Sequence, residues 1–139
     1  MPDLYTLSSP LVIENANGNI YRAIREDETS YKAFGEAYSS LIFYKSIKAW
    51  KKHKLMTLNL VVPVGMVGFV FTDGSGIFEF EAIGEENYKR LTVPPGCWFG
   101  FKGLSKKANL VLNISDMIHD DKEVDRAEVD RFNFNWDLL

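Results

Sequence analysis

The chain has 139 residues, of which 46% are hydrophobic. It contains 16 Lys and Arg and 19 Asp and Glu, which gives a formal net charge of −3. A chain of this length buries roughly 70% of the surface that its unfolded form exposes, so its core needs neither a metal nor a disulfide. The mild acidity argues against a general nucleic-acid binder, because such proteins need an excess of Lys and Arg. We therefore expect one domain over residues 1–139 that binds no nucleic acid.

The cysteine count and the apolar segments indicate a cytoplasmic protein that does not enter a membrane. Cys97 is the single cysteine and cannot form an intramolecular disulfide, and the N-terminal segment MPDLYTLSSP lacks the basic and apolar regions of a signal peptide. The longest apolar stretch, 58–71, is shorter than a membrane-spanning helix and is interrupted by Pro63, Gly65 and Gly68. This stretch predicts two strands joined by a turn.

The rest of the chain follows the same pattern and predicts an all-β fold. Short segments rich in Val, Ile, Phe and Tyr recur between Gly, Pro, Asn and Asp at intervals of roughly 8–12 residues, a spacing typical of a sandwich or barrel. The predicted strands, in chain order, are 11–13, 20–24, 37–44, 47–52, 58–62, 68–71, 77–83, 90–93, 98–102 and 109–115. Helical turns are expected only in 26–31 and in the tail after Asp116, whose acidic side chains are typical of a solvated face.

A cluster of lysines surrounds His53 in the predicted strand 47–52 and just beyond it. Alternation along a strand puts Ile47, Ala49, Lys51 and His53 on one face. Inside a barrel, this face would be apolar at one end and polar at the mouth, as in a small-molecule pocket. The alternative is an edge strand whose lysines discourage aggregation.

Two long segments resemble a known family of sugar-modifying cupin barrels. They are KAWKKHKLMTLNLVVPVGMVGFVFTDG, residues 48–74, and RLTVPPGCWFGFKGLSKKANLVLNISDMIHDD, residues 90–121. Both look like the motif-bearing halves of enzymes that act on dTDP-4-keto-6-deoxy sugars, namely the dTDP-4-dehydrorhamnose 3,5-epimerases and the sugar 3,4-ketoisomerases. The resemblance implies a small all-β cupin, or jelly-roll, barrel that forms a homodimer.

The first segment keeps part of the family's histidine motif. The ketoisomerases carry Arg-Gly-Phe-His-x-His, and the matching positions run from Lys48 to His53. Only the second histidine is matched, by His53, whereas the first histidine and the catalytic histidine of the epimerases both fall on Lys51.

The second segment keeps the turn of the family motif but not its chemical groups. The Pro-x-Gly turn is matched by Pro94-Pro95-Gly96, the histidine after it falls on Phe99, and the epimerase tyrosine falls on Leu112. The carboxylate that partners the epimerases' catalytic histidine has no obvious counterpart. The resemblance therefore leaves open whether the protein turns over a substrate.

The same positions predict no metal and no other cofactor. Metal-binding cupins use two histidines and a glutamate in the first half and a histidine in the second. Lys51, His53, Leu58 and Phe99 stand at those positions, and one histidine cannot hold a divalent ion alone.

His53 and Lys51 are the predicted catalytic residues. The family reactions remove a proton from a carbon next to a ketone, which needs a base and a donor that stabilises the enolate. Histidine has an ordinary pKa of about 6.5, whereas that of lysine is about 10.4 and must be lowered by burial or nearby cations. Lys51 is then a base, or a cationic donor to the 4-keto oxygen with His53 as base, or a protonated group that only holds a sugar or phosphate.

Three further residues are predicted to bind substrate. Lys48 stands where family members carry a substrate-contacting arginine, although it could equally be a surface lysine. Arg22 follows the Asn17-Gly18 turn in a region where the epimerases place an arginine for the nucleotide phosphates. Trp50 could stack on a thymine or sugar ring, or belong to the core.

These observations predict a nucleotide-sugar epimerase or ketoisomerase of surface-polysaccharide biosynthesis that works through an enolate. The alternative is an inactive cupin that binds the sugar nucleotide or stabilises a partner enzyme.

Overall fold

The computed structural model describes residues 3–139, so Met1 and Pro2 of the predicted domain lie outside the described residues. The described chain contains twelve strands and three short 3-10 helices at Asp121–Glu123, Val129–Arg131 and Trp136–Leu138. The strands are β1 Thr6–Ser8, β2 Val12–Ile13, β3 Ile20–Tyr21, β4 Glu36–Leu41, β5 Ile47–His53, β6 Leu58–Val64, β7 Met66–Thr72, β8 Phe78–Gly84, β9 Arg90–Val93, β10 Trp98–Gly103, β11 Leu110–Ser115 and β12 Val124–Arg126.

The all-β prediction is confirmed, and each of the ten predicted strands forms. Their bounds shift by a few residues, most at β3 and β4, which end at Tyr21 and Leu41 instead of residues 24 and 44. Two short strands, β1 and β12, were not predicted because TLS and VDR have no alternating apolar pattern. Segment 26–31 forms hydrogen-bonded turns, with Glu28 N donating to Arg25 O and Tyr31 N donating to Glu28 O.

Two five-stranded antiparallel sheets pack face to face. The first has the order β1-β9-β6-β11-β4 and the second the order β12-β5-β10-β7-β8, while β2 and β3 form a separate hairpin. The apolar stretch 58–71 supplies β6 to the first sheet and β7 to the second, with the predicted turn at Gly65. Gly65 has φ +84°, and a Cβ there would lie 2.1 Å from Ala108 O, so only glycine fits.

The main core lies between the sheets. Its fully buried side chains include Leu58 and Val62 from β6 and Val67, Phe69 and Phe71 from β7. These residues alternate along their strands, as expected when one face of each sheet is buried.

The C-terminal segment covers the outer face of the second sheet and creates a second core. Trp136 packs there with Trp50 and Val70, and aromatic side chains of Phe132 and Phe134 surround them. The buried Lys102 Nζ donates a hydrogen bond to Trp136 O at 2.9 Å, which anchors the segment to β10. The tail after Asp116 is therefore not simply a solvated face, because its aromatic residues at 132, 134 and 136 pack against the sheet.

A buried arginine ties the N-terminal segment to the first sheet. Arg90 of β9 donates hydrogen bonds to Ala23 O at 2.8 Å and to Glu28 Oε2 at 2.6 Å.

Within residues 3–139, no helix has the length and apolar character that a membrane crossing requires.

Candidate active site

A cleft opens where β4, at the edge of the first sheet, approaches β5 and β12 of the second. It consists of two adjoining cavities of about 530 and 260 Å³, and Lys51 borders both. The larger cavity is lined by Ser40, Lys48, Ala49, Trp50, Lys51, Phe99, Phe101, Arg126, Ala127 and Glu128, and the smaller by Glu36, Tyr38, Lys51, His53, His119 and Val124. β12 pairs with Lys51, Lys52 and His53, so the end of β5 is not a sheet edge. The edge-strand alternative is therefore wrong for these three residues.

An irregularity in β5 decides which side chains reach the cleft. The register between β5 and β10 shifts, so that Phe99 pairs with Lys51 but the next residue, Gly100, pairs with Ala49. Trp50 has no partner in β10, and its backbone N and O bond instead to Ala127 O and N at 2.8 and 3.1 Å. The extra residue resets the alternation. Ala49, Lys51 and His53 of the predicted face border the cleft and Ile47 does not, while the shift also brings Lys48 to the cleft beside Lys51.

His53 forms a buried pair with Glu123, a residue that the sequence analysis missed. Its Nδ1 is hydrogen-bonded to Glu123 Oε1, and Glu123 Oε2 accepts hydrogen bonds from Leu55 N at 3.1 Å and Met56 N at 3.2 Å. Burial alone would raise the pKa of the Glu123 carboxyl, but the hydrogen bonds from His53, Leu55 and Met56 outweigh it and hold that pKa below its ordinary value. The carboxylate therefore favours a proton on Nδ1 and leaves Nε2 of a neutral His53 as the basic atom.

Lys51 lies among cations at the centre of the cleft. Burial, followed by the charges of Arg126 and Lys48, lowers the pKa of its ammonium group. Lys52 and Lys54 have different surroundings from Lys51, because their Nζ atoms lie 3.8 and 3.6 Å from the carboxylate oxygens of Asp125.

Lys48 connects the two walls of the cleft. Its Nζ donates hydrogen bonds to Leu41 O at 2.6 Å and to Ser40 Oγ at 3.0 Å across the gap between β5 and β4. Its charge faces neutral oxygens there, so it remains able to attract an anion.

A tyrosine on β4 faces the same cavity as Lys51 and His53. Tyr38 OH accepts a hydrogen bond from Asn113 Nδ2 at 3.0 Å, which leaves its own proton free to be donated. Leu112, the residue at the epimerase tyrosine position, pairs with Ser39 one register step away. Glu36, Tyr38 and Ser40 occupy every second position of β4 and line the cleft. This spacing of polar side chains is the sequence pattern that could have predicted the β4 side of the cleft.

The side chains of Trp50 and Arg22 are not exposed in the cleft beside Lys48, Lys51 and His53. Trp50 borders the larger cavity, but only 1% of its surface is exposed, and its Nε1 donates to Val129 O at 3.1 Å. Its ring packs edge-on against Phe132 at 5.2 Å between centroids, so stacking on a ligand is excluded and the core alternative holds. Arg22 lines a separate depression with Ser8 and neighbouring residues, and its role in substrate binding stays a prediction.

Residues 3–139 contain neither a cluster of metal ligands nor a reactive thiol. No three His, Cys, Asp or Glu side chains of residues 3–139 come together in a way that could hold a metal ion. Burial raises the pKa of the Cys97 thiol to about 12, so this cysteine is not a nucleophile at neutral pH.

Comparison with known proteins identifies the family. No family model matches the chain. A dTDP sugar isomerase from Desulfovibrio desulfuricans G20 is 33% identical, and its crystal structure matches with a TM-score of 0.90 over 96% of this chain and 90% of that one. The chain belongs to the cupin superfamily of dTDP-sugar epimerases and isomerases.

Other members of this superfamily are more distant. The probable low-salt glycan biosynthesis epimerase Agl13 of Haloferax volcanii is 24% identical, over 93% of this chain and 89% of that protein. NovW, a 4-keto-6-deoxy sugar epimerase of Streptomyces spheroides, shares the fold with a TM-score of 0.86 at 12% identity, over 96% of this chain and 75% of that one. The predicted cupin fold is thus confirmed.

Proposed function

We propose that this protein is an epimerase or ketoisomerase that acts on a dTDP-linked 4-keto-6-deoxy sugar in the biosynthesis of a surface glycan. The observation that carries the proposal is the His53–Glu123 pair beside Lys51, in a cleft lined by cations. The dTDP sugar isomerase and the glycan biosynthesis epimerase among its relatives support the substrate class.

The proposed reaction begins with transfer of a proton to His53. Nε2 of His53 removes a proton from C3 or C5, next to the 4-keto group, and Glu123 stabilises the imidazolium that forms. Lys51 stabilises the charge that develops on the ketone oxygen as the enolate forms. Return of a proton to the other face of the same carbon gives the epimer. For an enolate formed at C3, protonation of C4 with loss of the proton of the C3 hydroxyl gives the 3-keto isomer.

A second function, binding without turnover, is favoured by the surroundings of His53. Only 4% of the residue's surface is exposed, and the Phe99 ring stacks at 6.3 Å between centroids. A base that is so enclosed has little access to substrate, whereas Lys48, Lys51 and Arg126 remain along the cleft to hold a sugar nucleotide.

Incorporation of deuterium tests the reaction. Incubation with dTDP-4-keto-6-deoxyglucose in heavy water should place deuterium at C3 or C5, as measured by NMR, and His53→Asn should lower the rate by about 100-fold or more. Lys54→Gln, outside the cleft, serves as the matched control and should keep the full rate. Without exchange, a rise in melting temperature with dTDP would favour the binding function, and no response to either compound would overturn both.

We also propose that the protein forms a homodimer in the cytoplasm. Large apolar side chains are exposed on the β2–β3 hairpin, at Leu11 and Ile20, and beside the unpaired edge of β4, at Leu41 and Phe43. Phe43 is 82% exposed, so we expect Phe43→Glu to shift the protein from dimer to monomer in sedimentation experiments. The unpaired Cys97 suits a reducing compartment.

A further inference from the structure

Lys51 differs from the other lysines of its strand in what surrounds its amine. Lys52 and Lys54 face Asp125, and Lys48 is held by Leu41 O and Ser40 Oγ. Lys51 has no hydrogen bond or ion pair to any of residues 3–139, and its partners in the neighbouring strands are Phe99 and Arg126. The strand partners of Lys51 therefore carry an aromatic ring and a guanidinium group, while Glu128 and Glu36 border its two cavities without forming an ion pair with its amine.

These surroundings increase the fraction of the amine that is neutral. Burial and the charges of Arg126 and Lys48 all act against protonation, which lowers the pKa of Lys51. A neutral primary amine is a nucleophile, and a lysine placed next to another cation is a known arrangement for attack on a carbonyl group.

We propose that Lys51 forms a Schiff base with the 4-keto group of the sugar. This inference rests on the proposed function and refines its mechanism, because the proton then leaves a carbon next to an iminium ion instead of a ketone. The iminium nitrogen takes up the electron pair that an enolate oxygen would otherwise carry. The reaction then needs no separate group to stabilise an oxyanion.

The steps balance without any further reactant. The neutral Nζ adds to C4, and after proton transfers the carbonyl oxygen leaves as water, so that a ketone, an amine and one proton give a protonated imine and water. His53 Nε2 then takes the proton from C3 or C5, and the electron pair of that C–H bond forms the C=C bond of a neutral enamine. Reprotonation of the same carbon, from either face, restores the protonated imine, and water then releases the epimer and the free amine. These steps account for epimerisation and not for migration of the ketone to C3.

The positions of the two side chains fit this sequence of steps. Lys51 and His53 lie two residues apart on β5 and line the same cavity. Two residues on one face of a strand are separated by roughly 7 Å, a distance that a sugar held by the lysine at C4 spans to the histidine. Glu123 holds the other side of the imidazole ring, which keeps Nε2 directed away from it.

Reductive trapping tests the Schiff base directly. The protein is incubated with dTDP-4-keto-6-deoxyglucose and cyanoborohydride, and peptide mass spectrometry should locate an adduct on Lys51 equal to the sugar nucleotide minus one water plus two hydrogens. Lys52→Gln, from the same strand, and Lys54→Gln, just beyond its end, are matched controls and should trap as well as the wild type. An adduct spread evenly over several lysines would overturn the proposal.

Oxygen exchange and Lys51→Arg provide a second readout. Each cycle of imine formation and hydrolysis replaces the 4-keto oxygen, so ¹⁸O from labelled water should enter the substrate at least ten times faster than without protein. Lys51→Arg keeps the positive charge but cannot form the imine, and it should lose both ¹⁸O entry and deuterium exchange. Full deuterium exchange in Lys51→Arg would mean that Lys51 supplies only charge.

The combined results separate this inference from the proposed function. Deuterium exchange in the wild type without an adduct and without faster ¹⁸O entry overturns the Schiff base and leaves the epimerase or isomerase function in place. An adduct on Lys51 without deuterium exchange supports the Schiff base and contradicts the reaction proposed above. The absence of all three signals overturns both.

Discussion

Glu123 has a structural role as well as a chemical one, because one buried carboxylate holds His53 and the turn after β5. It accepts hydrogen bonds from the imidazole and from the N–H groups of Leu55 and Met56. A buried hydrogen bond to a charged group contributes about 1.5–3 kcal/mol, and a donor left unpaired there costs a similar amount. The contacts of this residue therefore contribute to folding whether or not the protein is an enzyme.

We expect Glu123→Gln to reduce the free energy of unfolding at pH 7 by about 1–3 kcal/mol. The pKa of the Glu123 carboxyl is lower in the folded state than its ordinary value, so its stabilisation is complete well above about 4.3 and is lost as the pH falls through the folded-state pKa. The difference between wild type and variant should therefore shrink as the pH is lowered from 7 to 3. Urea unfolding at several pH values measures it.

The exposed Glu86 provides the control for this prediction. Glu86→Gln should leave the free energy of unfolding within about 0.5 kcal/mol of the wild type at every pH, as is usual for surface substitutions. A Glu123→Gln effect that stays constant from pH 7 to pH 3 would contradict the assigned role of the charged carboxylate.

At the scale of the elements, the C-terminal segment links the stability of the second sheet to the cleft. Residues 126–128 line the larger cavity, and the chain then continues over the outer face of β5, β10 and β7. Trp136 fixes the end of the segment by packing at 5.4 Å from Trp50 and 5.2 Å from Phe134, measured between ring centroids. Loosening of this segment would therefore disturb the wall of the cleft.

Trp136→Ala should destabilise the protein by about 3–5 kcal/mol, the usual cost of removing a large buried aromatic ring. Leu138→Ala is the matched control from the same 3-10 helix, because Leu138 is 60% exposed and should cost less than about 1 kcal/mol. Urea unfolding followed by circular dichroism compares the two variants. Equal losses would show that the segment does not pack through Trp136.

The strands β5, β6, β7 and β12 show which parts of the fold and of the site could be predicted from the sequence. The apolar stretch 58–71 predicted β6, β7 and their turn, because burial between two sheets requires apolar runs that the sequence displays. Lys51 and His53 were predicted on one face of a strand by alternation. The shift at Trp50 and the pairing of β12 depend on contacts between distant segments. Alternation therefore could not place Lys48 beside Lys51, which only the family resemblance indicated, and no local pattern could indicate that Glu123 would reach the site.

At the scale of the whole molecule, the net charge of −3 conceals an uneven distribution. Lys48, Lys51 and Arg126 line the larger cavity, with Glu128 as the one acidic residue among its lining side chains in residues 3–139. The surface as a whole repels an anion weakly, whereas the cleft attracts it over a short range. A small phosphorylated ligand therefore suits this molecule better than an extended polyanion.

Salt should weaken the binding of dTDP much more than the binding of thymidine. The Debye length falls from about 10 Å at 0.1 M to about 3 Å at 1 M, so added salt screens attraction between the diphosphate and cations that remain in contact with solvent. We expect the Kd of dTDP, measured by calorimetry, to rise about tenfold between 0.05 and 0.5 M NaCl, while that of thymidine stays within about twofold. Arg126→Gln should reduce the salt dependence, because Arg126 lines the larger cavity, whereas Lys54→Gln, outside the cleft, should leave it unchanged. If the Kd of dTDP did not respond to salt, the phosphates would lie outside the cationic cleft.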